Sequence, residues 1–91
     1  MQFALELYIQ RRPDSQLELV ERARSAAALA RLGGAPLTFL RSIYLPSDEL
    51  CFLVFEAPSA ASVARAACEA EIAFERVLEA ELLPNVNEVR E

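Results

Sequence analysis

The chain has few of the residues on which catalysis, metal binding and covalent cross-linking most often depend. Its 91 residues include no histidine, two cysteines and two glycines. Without histidine it lacks the commonest general base near neutral pH and the commonest transition-metal ligand. Two cysteines are too few for a disulfide framework, which favours a reducing, cytoplasmic location. The two glycines are adjacent, so no glycine-rich phosphate-binding motif is present.

Charge and hydropathy argue against nucleic acid and membranes as partners. The net charge is −5, and Arg11-Arg12 is the only adjacent basic pair. Nucleic acids and anionic membranes are bound by clustered lysine and arginine, which this chain lacks. No apolar run approaches the roughly 18–20 residues of a membrane span. The first ten residues include Glu6 and have no basic leader, which predicts that there is no signal peptide.

Hydrophobic periodicity predicts six elements in a single domain, residues 1–84, followed by a polar tail, residues 85–91. Alternation indicates strands, and apolar residues at helical spacing indicate helices. Ser15 with Glu18 suggests a capping box for the first helix, and Ser59 suggests the N-cap of the second. Gly33-Gly34 is expected to end the first helix. The predicted elements are strand 2–9, helix 16–32, strand 37–45, strand 50–55, helix 60–70 and strand 76–83.

The order β-α-β-β-α-β predicts a ferredoxin-like α+β fold. Right-handed crossovers place the strands in the order 4-1-3-2 in an antiparallel sheet, with both helices on one face. The last strand is expected to point Leu78, Ala80 and Leu82 inward. Hydrophobic residues make up 54% of the chain, so apolar side chains are also expected on the uncovered face. Since exposing them to water is unfavourable, we expect a homodimer formed through that face.

Four residues are candidates for binding a small ligand. Arg41 is predicted on the face of Phe39 and Ile43, where a charge needs a partner. The alternatives are an ion pair with Glu6 or Glu56, a carboxylate of a second subunit, a solvated position at the edge of the sheet, or a bound carboxylate or phosphate. Tyr8 and Tyr44 either line a cavity between sheet and helices or pack in the ordinary way. Glu56 either joins the site or bonds free N–H groups of the following helix.

Both cysteines are predicted to be buried and to serve in packing. Cys51 lies in the most apolar strand, and no histidine is available to activate its thiol. Cys68 lies among alanines in the second helix. The glutamates at 69, 71, 75, 79 and 81 are expected to form a solvated acidic surface.

About half of the chain resembles a family of small bacterial proteins known as nickel-binding proteins or as proteins of unknown function. The shared features are Arg41-Ser42, Cys51, the Glu56–Ser59 turn and the Arg76–Glu79 strand. The resemblance implies a dimeric, cytosolic, ferredoxin-like protein that binds a transition metal, nickel. Because histidine is absent, such a site would depend on carboxylates and thiolates, with Glu6, Cys51 and Glu56 as candidates and Cys68 as a further thiol.

These observations favour a non-enzymatic, homodimeric protein that binds a small ligand or a metal ion. A second hypothesis is a cofactor-free monooxygenase or isomerase of the dimeric α/β-barrel type. It requires a closed pocket in which at least two polar groups converge. A third hypothesis is a protein that serves only in assembly.

Overall fold

Within the described part of the chain, four strands and two α-helices follow one another in the predicted order. A computed structural model describes residues 1–10, 12 and 14–81 of the chain. Every neighbouring pair of strands is antiparallel, and the sheet order is β2-β3-β1-β4. This is the predicted order 4-1-3-2 read from the other edge, so the ferredoxin-like prediction is confirmed. The elements are β1 (Gln2–Tyr8), α1 (Ser15–Leu32), β2 (Thr38–Leu45), β3 (Leu50–Glu56), α2 (Ala60–Glu69) and β4 (Arg76–Ala80).

The predicted boundaries differ from the structure mainly at the last strand. β4 ends at Ala80, and Glu81 is no longer in the sheet. The rest of the predicted strand and the predicted tail, residues 85–91, lie outside the described residues. No helix in residues 1–10, 12 and 14–81 is long and apolar enough to cross a membrane.

The two helices begin in different ways. At α2 the prediction is confirmed, because the Ser59 hydroxyl accepts a hydrogen bond of 3.2 Å from the Ser62 N–H. At α1 the predicted capping box is wrong. Asp14 occupies the N-cap without a side-chain bond, and the backbone N–H of Glu18 donates to its carbonyl at 3.0 Å. Ser15 is buried in the first turn, where its hydroxyl accepts from Arg12 Nε at 3.1 Å.

One face of the sheet, which we call the covered face, packs against both helices. Small side chains on the helices allow close approach to the larger ones of the sheet. Gly34 has a φ of +98°, so the predicted left-handed residue after α1 is confirmed there. The covered face consists of Phe3, Leu5, Leu7, Phe39, Tyr44, Cys51, Leu53, Phe55 and Val77. It meets Leu19, Ala23 and Ala27 of α1 and Val63, Ala66 and Ala67 of α2.

A register shift in β2 changes which residues share a face. Phe39 pairs with Phe55, whereas Arg41 pairs with Val54, so Leu40 is an extra residue between them. Phe39 therefore faces the helices and meets Phe55 edge-on, with ring centroids 5.5 Å apart. Arg41 and Ile43 lie on the opposite face. The prediction that all three share one face is wrong because a bulge interrupts the alternation.

β4 presents its apolar residues to both faces of the sheet. Val77 packs on the covered face, opposite Leu5. Leu78 and Ala80 pair with Ala4 and Gln2 and point away from the helices. The expectation that Leu78 and Ala80 point inward is therefore wrong for the helix-covered core. As a result, the other side of the sheet gains apolar surface.

Candidate functional site

The side of the sheet away from the helices, which we call the open face, holds most of the predicted site residues. It is built by alternate residues of all four strands, because successive strand side chains point to opposite sides. Ile43 and Leu45 are 45% and 41% exposed, whereas Ala4 and Val54 are buried by their neighbours. The open face consists of Gln2, Ala4, Glu6, Tyr8, Thr38, Arg41, Ile43, Leu45, Leu50, Phe52, Val54, Glu56, Arg76, Leu78 and Ala80.

An ion pair crosses the open face between β1 and β4. Glu6 and Arg76 are cross-strand partners, and Arg76 Nε donates to Glu6 Oε1. The Glu6 side chain is 11% exposed and that of Arg76 is 65% exposed. The hydrogen bond and the negative charge of Glu6 raise the pKa of Arg76. Glu6 is thus a buried carboxylate with a fixed cation, and its partner is Arg76 rather than the predicted Arg41.

The four predicted ligand-binding residues do not come together in one site. Arg41, Glu56 and Tyr8 lie on the open face, but Tyr44 lies on the covered face. Tyr8 is opposite Leu50, six residues along β3 from Glu56, which corresponds to a distance of roughly 20 Å. Of the two alternatives for the tyrosines, a shared cavity between sheet and helices is wrong, because Tyr8 lies on the face away from the helices.

Glu56 and Arg41 have different surroundings on the open face. Glu56 accepts from the amino group of Met1 at 2.6 Å, so it pairs with the chain's first residue rather than with N–H groups of α2. Arg41 is exposed at the β2 edge of the sheet. Within the described part of the chain, no carboxylate forms an ion pair with Arg41. Arg41 is therefore available to a partner or ligand that approaches the open face.

The covered face holds a phenol without a hydrogen-bond partner beside a protected thiol. Among the described residues, the Tyr44 hydroxyl is buried and bonds to nothing, and Tyr44 is the cross-strand neighbour of Cys51. Burial raises the pKa of the Cys51 thiol to about 11. The thiol is therefore protonated near neutral pH and a poor nucleophile. The prediction that Cys51 serves in packing fits this burial.

Cys68 is placed differently from the prediction. It is exposed and unpaired. The residues of α2 that face the core are Val63, Ala66 and Ala67. Cys68 is the next residue after Ala67, and one residue turns an α-helix by about 100°, which carries the Cys68 side chain out of the core. The exposure of Cys68 was hard to predict, because the alanines around it fit both the buried and the exposed side of a helix.

The candidate metal ligands do not fit a nickel centre within one copy of the chain. Glu6 bonds to Arg76, Glu56 bonds to the Met1 amino group, and the protonated Cys51 lies on the other face of the sheet. Across residues 1–10, 12 and 14–81, no three acidic, cysteine or histidine side chains gather at a distance suited to one ion. Metal ligands must be deprotonated and free to donate, a condition that these residues do not meet.

A cleft at the end of β1, which we call the β1–α1 cleft, was not predicted from the sequence. It has a volume of about 260 Å³. The sequence does contain a signal for it. Ser15, Glu18 and Arg22 follow the adjacent arginines at helical spacing and so share one side of α1. The described residues that line the cleft are Ile9, Gln10, Arg12, Ser15, Glu18, Leu19 and Arg22.

Comparison with known proteins gives information on the fold alone. No model of a known protein family matches the chain, and no curated protein matches it. Its structure is similar to the crystal structure of the protein SCO4226 from Streptomyces coelicolor A3(2), with a TM-score of 0.70. The two sequences are 19% identical, and the similarity covers 92% of this chain and 100% of the other. The chain therefore has a ferredoxin-like α+β fold that is also present in a solved bacterial structure.

Proposed function

We propose that the protein is a non-enzymatic, homodimeric binding protein whose subunits join through their open faces. The observation that carries this proposal is the apolar surface that neither α1 nor α2 covers, where Ile43 and Leu45 are 45% and 41% exposed. Phe52 and Leu78 continue this surface across the sheet. Burying apolar surface yields about 25 cal/mol per Å², so a partner that covers it is stabilising.

The size of the open face suits a second copy of the chain. Four strands spaced about 4.8 Å apart and about seven residues long present roughly 450 Å² in projection. Pleating and protruding side chains enlarge the accessible area towards the ~800 Å² that each partner buries in an average stable interface. A two-fold axis lets the same surface serve both subunits, since each patch then contacts its own equivalent.

The charges of the open face also favour self-association. The chain as a whole carries 14 acidic and 9 basic residues, so most of its surfaces repel a second copy. On the open face, Glu6 is neutralised by Arg76, and Glu56 is neutralised by the Met1 amino group. Arg41 adds a further cation at the edge. Two open faces can therefore meet without the repulsion that the rest of the surface would produce.

Binding is favoured over catalysis because the polar groups do not converge in an enclosed pocket. Tyr44, Arg41 and Glu56 are divided between two faces of the sheet. The β1–α1 cleft is open to solvent, which gives a reacting group little protection from water. We propose the cytoplasm as the working location, because reducing conditions keep the unpaired Cys51 and Cys68 as thiols.

The dimer is tested by measuring the mass of the protein in solution by light scattering at micromolar concentration. We expect twice the chain mass of 10.1 kDa for the natural sequence. Ile43→Asp places a charge on the apolar surface of the proposed interface and is expected to give a folded monomer. Leu17→Asp is the matched control, because Leu17 is 63% exposed on α1, and it should remain dimeric.

A monomeric natural protein, or a dimeric Ile43→Asp variant, would overturn the proposed interface. Circular dichroism establishes that each variant is folded. If Ile43→Asp does not fold, Leu45→Asp repeats the test at a position that is also on the open face and 41% exposed.

A further inference from the structure

The β1–α1 cleft collects positive charge on an acidic protein. Arg12 and Arg22 both border it, whereas Glu18 is the single carboxylate among the described residues of its lining. In the described part of the chain, neither guanidinium forms an ion pair with a carboxylate. An arginine is permanently charged, so two of them at one cleft attract an anion from solution.

Hydrogen bonds fix both arginines at the cleft. Arg12 donates through Nε to the hydroxyl of Ser15, at 3.1 Å. Ser15 is 9% exposed, so it is a firm anchor in the first turn of α1. One terminal nitrogen of Arg22 donates to the carbonyls of Ala70 and Glu71, at 2.9 and 2.6 Å. These bonds leave further N–H groups on each guanidinium, which presents five donors in all.

Ile9 and Leu19 give the cleft an apolar wall beside the charged groups. Ile9 is half-buried where the chain leaves β1, and Leu19 is 6% exposed in the second turn of α1. A ligand that fits this arrangement needs an apolar body as well as an anionic group. The volume of about 260 Å³ limits that body to a small molecule.

We infer that the β1–α1 cleft binds a small organic monocarboxylate with an apolar body. Arg12 and Arg22 hold the carboxylate, and Ile9 and Leu19 contact the apolar part. Among the described residues of the lining, two arginines and one glutamate carry a single net positive charge, which one carboxylate neutralises. A phosphate dianion would bring a second negative charge close to Glu18 and is disfavoured for that reason.

This inference rests on the binding part of the proposed function but not on the dimer. The described residues that line the cleft come from the segment that follows β1 and from α1. None of them belongs to the open face, so the monomeric Ile43→Asp variant should retain the site. A failure of the dimer and a failure of the ligand site are therefore separate results.

An NMR titration of the backbone amides with benzoate tests the site. Benzoate is expected to shift the amides of Ser15, Leu19 and Arg22 with millimolar affinity. Arg12→Gln should weaken benzoate binding at least about 5-fold, because it removes the charge and leaves a polar side chain. Arg24→Gln is the matched control, since Arg24 lies over the Phe39 ring, outside the cleft, and it should bind benzoate normally.

Two further probes test whether the cleft requires both the carboxylate and the apolar body of the ligand. Benzamide has the same shape without the charge, and inorganic phosphate has the charge without the apolar body. Neither should shift the amides of the β1–α1 cleft at concentrations where benzoate does. The inference is overturned if benzoate causes no local shifts up to about 20 mM, if benzamide or phosphate binds as well, or if Arg12→Gln binds benzoate normally.

Discussion

The two faces of the sheet are built from the same strands but have different contents. The covered face takes Phe3, Leu5 and Leu7 from β1, and all three are at most 6% exposed. The open face takes Ala4, Glu6 and Tyr8 from the same strand, which range from 8% to 61% exposed. One face thus excludes water almost completely, whereas the other mixes apolar surface with a cross-strand ion pair.

This difference indicates that the two faces have different tasks. The helices already bury the apolar side chains of the covered face. Close packing of such side chains supplies most of the stability of a small domain. On the open face, Glu6 has Arg76 as a cationic partner, as a charge needs on the surface through which we propose that two subunits join. We therefore expect substitutions on the covered face to change stability and those on the open face to change association.

The largest difference between the faces is expected for Leu53→Ala compared with Ile43→Ala. Leu53 is fully buried on the covered face, so its truncation should lower the free energy of unfolding by about 2–5 kcal/mol. Ile43 is 45% exposed on the open face, and its truncation should cost less than half as much. Urea denaturation at a protein concentration at which the subunits are separate measures both losses. Equal losses would contradict the distinction between the faces.

A smaller, pH-dependent effect is expected from the thiol on the covered face. Burial raises the pKa of Cys51 from 9.0 to about 11 in the folded protein. Its contribution to stability is therefore fully present below pH 9 and is lost as the pH rises towards 11. By pH 10 the loss should be about 1 kcal/mol, measured by urea denaturation at several pH values.

Two valine variants assign that pH dependence to one thiol. Cys51→Val should remove the loss between pH 9 and pH 10, because no buried thiol then ionises on unfolding. Cys68 is exposed, so Cys68→Val should retain the pH dependence of the natural protein. The assignment to Cys51 fails if both variants behave alike.

The smallest effect is expected for the two tyrosines, and it has the opposite sign. Tyr44→Phe removes a buried hydroxyl that has no partner among the described residues, so it should raise the free energy of unfolding by about 1 kcal/mol. Tyr8 is 61% exposed, and Tyr8→Phe should change stability by less than about 0.5 kcal/mol. Thermal denaturation measures both. A clear loss of stability in Tyr44→Phe would mean that the hydroxyl bonds to a water molecule or ligand.

Much of the fold could be predicted because local patterns recur at fixed periods. The apolar run of β3 and the small-residue stripes of the helices led to the correct order of elements and of strands. The Ser59 cap and the helix stop at Gly33-Gly34 were also predictable, since each depends on residues close in sequence.

The candidate site was harder to predict because it depends on face and register. One extra residue, Leu40, turned Phe39 and Arg41 to opposite sides of β2. Asp14 took the cap position that was predicted for Ser15, whose hydroxyl accepts from Arg12 instead. The β1–α1 cleft was missed because Arg22 reaches it from the third turn of α1, fixed by carbonyls 48 and 49 residues further along the chain.

The sequence by itself determined the ferredoxin-like order of elements, because hydrophobic periodicity and handedness rules act within and between neighbouring elements. The sequence also determined that no histidine can act as a base or as a metal ligand. Only the tertiary structure decided that Glu6 pairs with Arg76, 70 residues away. It also decided that Cys68 is exposed and Cys51 is buried. Such outcomes depend on register and packing between distant strands, where a shift of one residue exchanges the two faces of a sheet.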